Sequence, residues 1–269
     1  VSMPPASSGG IHLIQMLNMI EEFPIKDMGF GSADSLHILA EVMKRAYADR
    51  SKHLGDMDFY DVPFALISKE YSSFLNKSIS VNSRTASKDV FAGDPYPYES
   101  PDTTHFSVMD QYGNAVSNTY TLNFSYGSGI MIPGTGMLMN NEMDDFSSKP
   151  GVPNGYGLLG SEANSIQANK RPLSSMTPTI IFKDNKPYLV LGSPGGSRII
   201  TTVLQVALNV MEHGMNVAQA VNSPRIHHQW LPEVLMIEKG FGPDTEKLLL
   251  EKGYRLYPCL LYTSPSPRD

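Results

Sequence analysis

The sequence predicts a layered α+β domain. Three observations lead there. Apolar residues recur at helical spacing through the first hundred positions. Beyond Thr103, alternating segments flank short turns and read as β-hairpins. Helical periodicity then returns after Gly192–Ser197. Strands that come in hairpins, with helices before and after them, argue against alternating βαβ units.

The first helix is expected over 11–22, where Leu13, Ile14, Leu17 and Ile20 share a face and Pro24 closes the segment. A second follows, capped by Ser32 or Asp34, with Leu36, Leu39, Ala40, Met43 and Tyr47 at helical spacing. The polar, Pro- and Gly-containing stretch 83–101 reads as an exposed connector. Strands at 104–110 and 115–122 turn at 111–114, and strands at 179–183 and 187–191 turn at Asp184-Asn185. Between the hairpins, 123–172 is long and irregular, as functional segments inside compact domains tend to be. Helices are expected at 199–213, ended by Gly214, then near 217–222 and 244–252. No internal repeat is visible.

Composition excludes several classes. The 269 residues carry a net charge of -6, which gives no basic patch for a nucleic acid. A single cysteine, Cys259, cannot form an internal disulfide. No apolar run approaches the roughly 18–20 residues that span a bilayer. The chain opens Val1-Ser2-Met3-Pro4-Pro5, which reads as mid-chain and says nothing about a signal segment.

Four segments carry chemistry. Thr103-Thr104-His105 starts a strand just after the connector. A threonine there is ordinarily a β-branched residue in its preferred place. With the bond before it cut, its free α-amine would titrate at about 7.7–8.0 and could serve as base for its own hydroxyl. Gly192-Ser193-Pro194-Gly195-Gly196-Ser197 joins a strand to a helix. It is either a tight turn or an oxyanion site made of adjacent N–H groups. Asn140–Phe146 clusters Glu142, Asp144 and Asp145, either as a solvated acidic loop or as a site for an ammonium group or a metal. Arg171–Met176 offers the Ser174 and Ser175 hydroxyls, either to a carboxylate or to their own backbone. His227-His228 lacks a third ligand at metal spacing and reads as structural.

Together these segments resemble the γ-glutamyltranspeptidases. The resemblance is carried by Pro4–Gly10, Ala46-Tyr47-Ala48-Asp49-Arg50, Thr103-Thr104-His105, Tyr120–Asn123, Asn141–Phe146, Lys170–Met176 and Gly192–Arg198. It implies a four-layer αββα sandwich of the N-terminal-nucleophile hydrolase type, made as one precursor and self-cleaved between Asp102 and Thr103. Residues 1–102 would then be the end of the large subunit and 103–258 most of the small one, the two forming a heterodimer. Residues 259–269 match no part of the family pattern and are expected to be a non-native tail.

By the same resemblance, Thr103 is the nucleophile, Thr121 orients it, and Gly195 and Gly196 form the oxyanion hole. Asn123 contacts the substrate, Glu142 and Asp145 hold its α-ammonium, Ser174 and Ser175 meet its α-carboxylate, and Tyr156 belongs to a lid over the pocket. The implied substrates are glutathione and other γ-glutamyl amides, with water, amino acids or peptides as acceptors and no metal or organic cofactor. A periplasmic or secreted location is implied as well. The family's arginine at the α-carboxylate falls upstream of this chain, so the chain alone is expected to be inactive. The alternatives are a glutaryl amidase of the cephalosporin-acylase kind on the same scaffold, and a non-catalytic fragment.

Overall fold

The computed structural model describes residues 1–90 and 103–259. Its first third is helical. In α1 (Gly9–Ile20), Leu13, Met16, Met19 and Ile20 are buried together with His12 and Gln15, so the helix is a core element rather than a surface one. Glycine is needed at its start because a Cβ on Gly9 would collide with the Met176 carbonyl and Thr177. One turn, α2 (Ile25–Met28), follows Pro24. In α3 (Ala33–His53) the predicted cap is Ser32, whose side chain accepts from the Ser35 amide, and the predicted apolar stripe is buried. A further helix, α4 (Lys69–Asn76), is capped by Ser68. The sequence reading has no element there, because a short helix with several polar residues shows little periodicity.

Strands β1 (Thr103–Met109) and β2 (Ala115–Thr121) form an antiparallel hairpin whose register runs unbroken from Thr103↔Thr121 to Met109↔Ala115. The Asp110 carboxylate closes the turn by accepting from the Tyr112 and Asn114 amides. Strands β3 (Thr179–Lys183) and β4 (Lys186–Leu191) form the second hairpin. Its turn residues, Asp184 and Asn185, both take positive φ, as a tight hairpin turn requires. Ser117 joins the two hairpins: its Oγ donates to the Leu191 carbonyl at 2.9 Å and accepts from the Thr179 amide at 3.0 Å.

Helix α5 (Ile199–Met211) is buried from Ile199 through Asn209. After α6 (Val217–Asn222), with a capping box on Asn216, comes a sheet that the sequence reading does not contain. Its strands are β5 (Ile226–His227), β6 (Leu235–Ile237) and β7 (Leu256–Pro258), with β6 in the middle, antiparallel to β5 and parallel to β7. Strands this short cannot show an alternating pattern. Helix α7 (Pro243–Glu251) lies between β6 and β7 in the chain. One core cluster joins Met16 and Met19 of α1, Ala40, Met43 and Tyr47 of α3, and Ile200, Leu204 and Ala207 of α5. The α+β class is therefore as predicted, and among the described residues no helix is long and apolar enough to cross a membrane.

The connector departs from expectation in its first part. Residues 91–102, including Asp102, lie outside the described residues, as do 260–269 of the tail. Residues 84–90 are tied down rather than loose. Glu41 accepts from Lys44 at 2.7 Å and from the Thr85 amide at 3.1 Å, and Lys44 donates to the Thr85 carbonyl. Arg45 donates to Glu41 as well, and the Trp230 indole donates to the carbonyls of Ser87 and Val90. Composition marks such a stretch as loop-like but cannot show which buried groups its backbone will satisfy.

The Glu41 side chain is fully buried between two cations. Burial works against its charge, but Lys44 and Arg45 outweigh burial and hold its pKa at about 2, below the ordinary 4.5. Its stabilising contribution is thus complete above about pH 4.5 and is lost as pH falls toward 2. Glu41→Gln should strand two buried cations and cost about 3–5 kcal/mol in urea unfolding at pH 7. The deficit should shrink as the wild type is titrated below pH 4.

Candidate active site

A pocket opens where five segments meet: the end of β2, the turn at Glu142–Asp145, the segment bearing Tyr156, the run Arg171–Met176 and the glycine loop leading into α5. Its walls include Thr121, Asn123, Asp145, Tyr156, Ser174, Ser175 and Gly196, seven of the residues singled out from sequence. The pairing of β1 with β2 sets the Thr103 backbone directly opposite Thr121, at the edge of this pocket. Thr121 Oγ1 accepts from the Asn123 amide at 2.9 Å, and Asn123 takes a positive φ of 75° that turns the chain out of the strand.

The acidic turn sorts its three carboxylates. Asp144 accepts from the Gly155 amide at 2.9 Å, so it fastens the turn to the segment bearing Tyr156. Asp145 lines the pocket. Burial first, and then the neighbouring Glu142, raise its pKa to about 7 against the opposing pull of Arg50. Glu142 stands on the same turn and is not among the wall residues; burial raises its pKa also. Among the described residues no group of three or more His, Cys, Asp or Glu side chains could hold a metal ion.

The serine pair divides its work. Ser174 Oγ accepts from the Met176 amide at 3.0 Å, the local bond that the residue type favours. Its carbonyl accepts from the Ser8 amide at 2.9 Å, which aligns the Pro4–Gly10 segment beside it. Ser175 Oγ instead accepts from Arg50 Nη2 at 3.2 Å. Upstream, Arg171 forks onto the buried carboxylate of Asp56 and fixes where this segment starts.

At the glycine pair, Gly195 has φ 125° and Gly196 has φ 53°, and a short 3-10 turn leads from them into α5. A side chain at Gly196 would run into the Tyr156 ring, so glycine here meets both a backbone and a packing demand. Gly195 is buried beside it but is not one of the wall residues. Tyr156, expected over the pocket as part of a lid, is buried in its wall. Its hydroxyl donates to the Asn123 carbonyl at 2.6 Å, and its ring meets Phe124 edge-on.

Sequence reasoning missed Tyr47 and Gln229. The Tyr47 hydroxyl donates to the Ser197 carbonyl, bracing the loop from the side of α3. Gln229 donates to the Tyr156 carbonyl at 3.1 Å and accepts from Ser197 Oγ at 2.8 Å, linking the tyrosine segment to the glycine loop. His227 is buried, bonded through Nε2 to Gln229 and through Nδ1 to Thr201. Burial holds its pKa near 3, so it stays neutral in this network. The Ala46–Arg50 run was visible as a motif, but only the helix register shows that Tyr47 and Arg50 reach the site.

A model of the gamma-glutamyltranspeptidase family matches residues 1–262. The glutathione hydrolase proenzyme of Escherichia coli (strain K12) is 58% identical over 256 residues, covering 95% of this chain and 44% of that protein. The acylase ACY 1 proenzyme of Pseudomonas sp. (strain SE83) is 37% identical over 258 residues, covering 95% of this chain and 43% of that protein. A crystal structure of Helicobacter pylori gamma-glutamyltranspeptidase aligns with a TM-score of 0.58 at 60% identity, over 59% of this chain and 86% of that one. The chain thus spans less than half the length of these two curated relatives. By motif, pocket and similarity alike, it belongs to the gamma-glutamyltranspeptidase family.

Proposed function

We propose that the protein is a γ-glutamyl acyltransferase and hydrolase that acts on glutathione and related amides through an ester on Thr103. One observation carries this reading: the Thr103 backbone pairs with a wall of a pocket that presents a carboxylate, two serine hydroxyls and the glycine loop together. A γ-glutamyl group is a zwitterion attached to an amide. Asp145 suits its ammonium, Ser174 and Ser175 suit its carboxylate, and the glycine loop suits the oxyanion. Glu142, on the same turn, adds negative potential for the ammonium.

In the proposed reaction the precursor first cleaves itself between Asp102 and Thr103, and the new α-amine becomes the general base. It takes the Thr103 hydroxyl proton as Oγ attacks the γ-carbonyl, with Thr121 orienting the nucleophile. The tetrahedral oxyanion rests on the N–H groups of Gly195 and Gly196. The amine leaves with the proton, and the γ-glutamyl ester remains on Thr103. Water then releases glutamate, or an amino acid or peptide takes the acyl group. The two pieces stay together as a heterodimer in a periplasmic or secreted enzyme.

The finer αββα layering belongs to this proposal too. Phe106, Val108, Val116 and Tyr120 are exposed on one face of the β1–β2 hairpin, while Ser117 and Thr119 face inward. An apolar sheet face of this kind suits a further layer packed against it. A glutaryl amidase would leave Asp145 without a cation to bind, which favours the γ-glutamyl reading.

Self-cleavage is tested on the full-length precursor by intact mass and N-terminal sequencing. Thr103 should become a new N-terminus, and Thr103→Ala should stay uncut and inactive. An uncut chain that turns over γ-glutamyl-p-nitroanilide would overturn the assignment of Thr103.

Asp145 yields a second test. With a pKa of about 7 in the free site, it is increasingly protonated below that pH and then cannot pair with the ammonium. For γ-glutamyl-p-nitroanilide, kcat/KM should therefore fall as pH drops below 7. The kcat limb should lie lower, because a bound ammonium favours the carboxylate. Glutaryl-p-nitroanilide, which lacks the amine, should keep only the limb that the Thr103 α-amine imposes on both substrates. Asp145→Asn should abolish the difference and cost about 1.5–3 kcal/mol on the γ-glutamyl substrate alone. Equal losses on both substrates would point to damage of the fold.

A further inference from the structure

Arg50 sits in the last turn of α3 and is 4% exposed. Its Nε donates to Ser8 Oγ at 3.1 Å, and its Nη2 donates to the Leu173 carbonyl and to Ser175 Oγ, each at 3.2 Å. These acceptors are all neutral. Among the described residues no carboxylate forms an ion pair with this guanidinium. The other buried cations of α3 differ: Lys44 and Arg45 both pair with Glu41. The hydration of Arg50 is thus replaced by neutral acceptors, and the carboxylate that favours its charge without pairing with it is Asp145 in the pocket wall. Ser175 lines this same pocket, so the guanidinium stands behind one of its walls.

The donor inventory makes the point sharper. Arginine has only donors, so in its bond with Arg50 the Ser175 oxygen must accept. The single hydroxyl hydrogen of Ser175 is thereby left for another acceptor, and Ser175 lines the pocket. Arg50 also holds Ser8 and the Leu173 carbonyl, so one rigid fork sets the position of the serine segment from behind. Its field reaches Asp145, where it opposes burial and Glu142 and favours the carboxylate that an ammonium needs.

We propose that Arg50 is a positioning residue that makes this pocket selective for a carboxylate, by fixing Ser175 as a donor into it and supplying positive potential behind that hydroxyl. The assignment rests on the γ-glutamyl reading and deepens it. Arg50 need not touch the substrate. It acts through Ser175, and its charge complements the negative side of the pocket at Asp145. The site would thus carry a charge gradient matched to an α-amino acid head group.

The test compares L-glutamate with 4-aminobutyrate, the same molecule without its α-carboxylate, as competitive inhibitors of γ-glutamyl-p-nitroanilide hydrolysis by the full-length, self-processed protein. Arg50→Gln should weaken glutamate at least tenfold and leave 4-aminobutyrate within about twofold. KM for the substrate should rise by a similar factor, with a smaller change in kcat. Arg50→Lys keeps the charge but not the fork, and should lose an intermediate amount. In a Ser175→Ala background, Arg50→Gln should add little, because the two residues act as one unit.

Wild-type discrimination in either folded variant would overturn the proposal. So would loss of folding in both, because that would assign Arg50 to the core alone. A wild-type protein that neither hydrolyses the substrate nor binds glutamate would instead strike the functional reading beneath it.

Discussion

The site depends on the register of one hairpin. In a β-ladder the side chains alternate with a period of two, so a slip of one residue would move every side chain of β1 to the opposite face. Thr103 meets Thr121 at the open end of an unbroken antiparallel pairing, and Thr121 forms part of the pocket wall. Two features pin that register. At one end Asp110 closes the turn with its carboxylate. In the middle Ser117 is held between the Leu191 carbonyl and the Thr179 amide of the second hairpin. Thr103 is the first residue of β1, so its position is set by its partner across the ladder. His105 adds to this by bonding Thr119 across the pair at 2.8 Å.

Around the hairpin, the pocket is built less from apolar packing than from polar side chains that each join two loops. Gln229 ties the tyrosine segment to the glycine loop, Tyr47 braces that loop from α3, Asp144 holds the acidic turn to Gly155, and Arg171 holds the serine segment to Asp56. Loops of this kind gain little from area burial, so their geometry is bought with fully satisfied hydrogen bonds. Such bonds are directional, and they fix loop positions more sharply than dispersion contacts do. The pocket residues stay in place although most of 123–172 has no regular structure.

Much of this was legible in advance, for reasons that can be traced to particular residues. Helices α1, α3 and α5 carry long apolar stripes, and the hairpins carry alternation plus turn residues, so pattern alone finds them. Four-residue α2, polar α4 and the short strands β5 to β7 carry too little pattern to be found. Among site residues, Thr121, Asn123, Asp145, Ser174, Ser175 and Gly196 were identifiable as family motifs, and the pocket unites them. The roles of Tyr47, Gln229 and Arg50 were not, because each acts through contacts distant in sequence: Tyr47 with Ser197, Gln229 with Tyr156, Arg50 with Ser175. Nothing local to those residues announces the partner. The three neighbouring carboxylates show the same limit, since composition cannot tell which one holds a loop and which one faces the pocket.

That division among the carboxylates has an electrostatic consequence. Three acidic groups on one short turn would repel one another if all were buried and ionised. Asp144 accepts an amide hydrogen bond from Gly155, while Glu142 and, to a smaller extent, Asp144 act on Asp145. Burial and Glu142 raise the pKa of Asp145, while Arg50 pulls it back toward the charged form. The unliganded pocket is thus held near the balance point of its own carboxylate, at a pKa of about 7. A ligand ammonium would tip that balance, because it favours ionisation of the same group it binds. A ligand with a carboxylate but no ammonium would meet the same negative side without that gain. The proposed preference for a zwitterion would follow from the arrangement of charges as a whole: a carboxylate poised at one wall, and a buried cation behind the hydroxyls at the other.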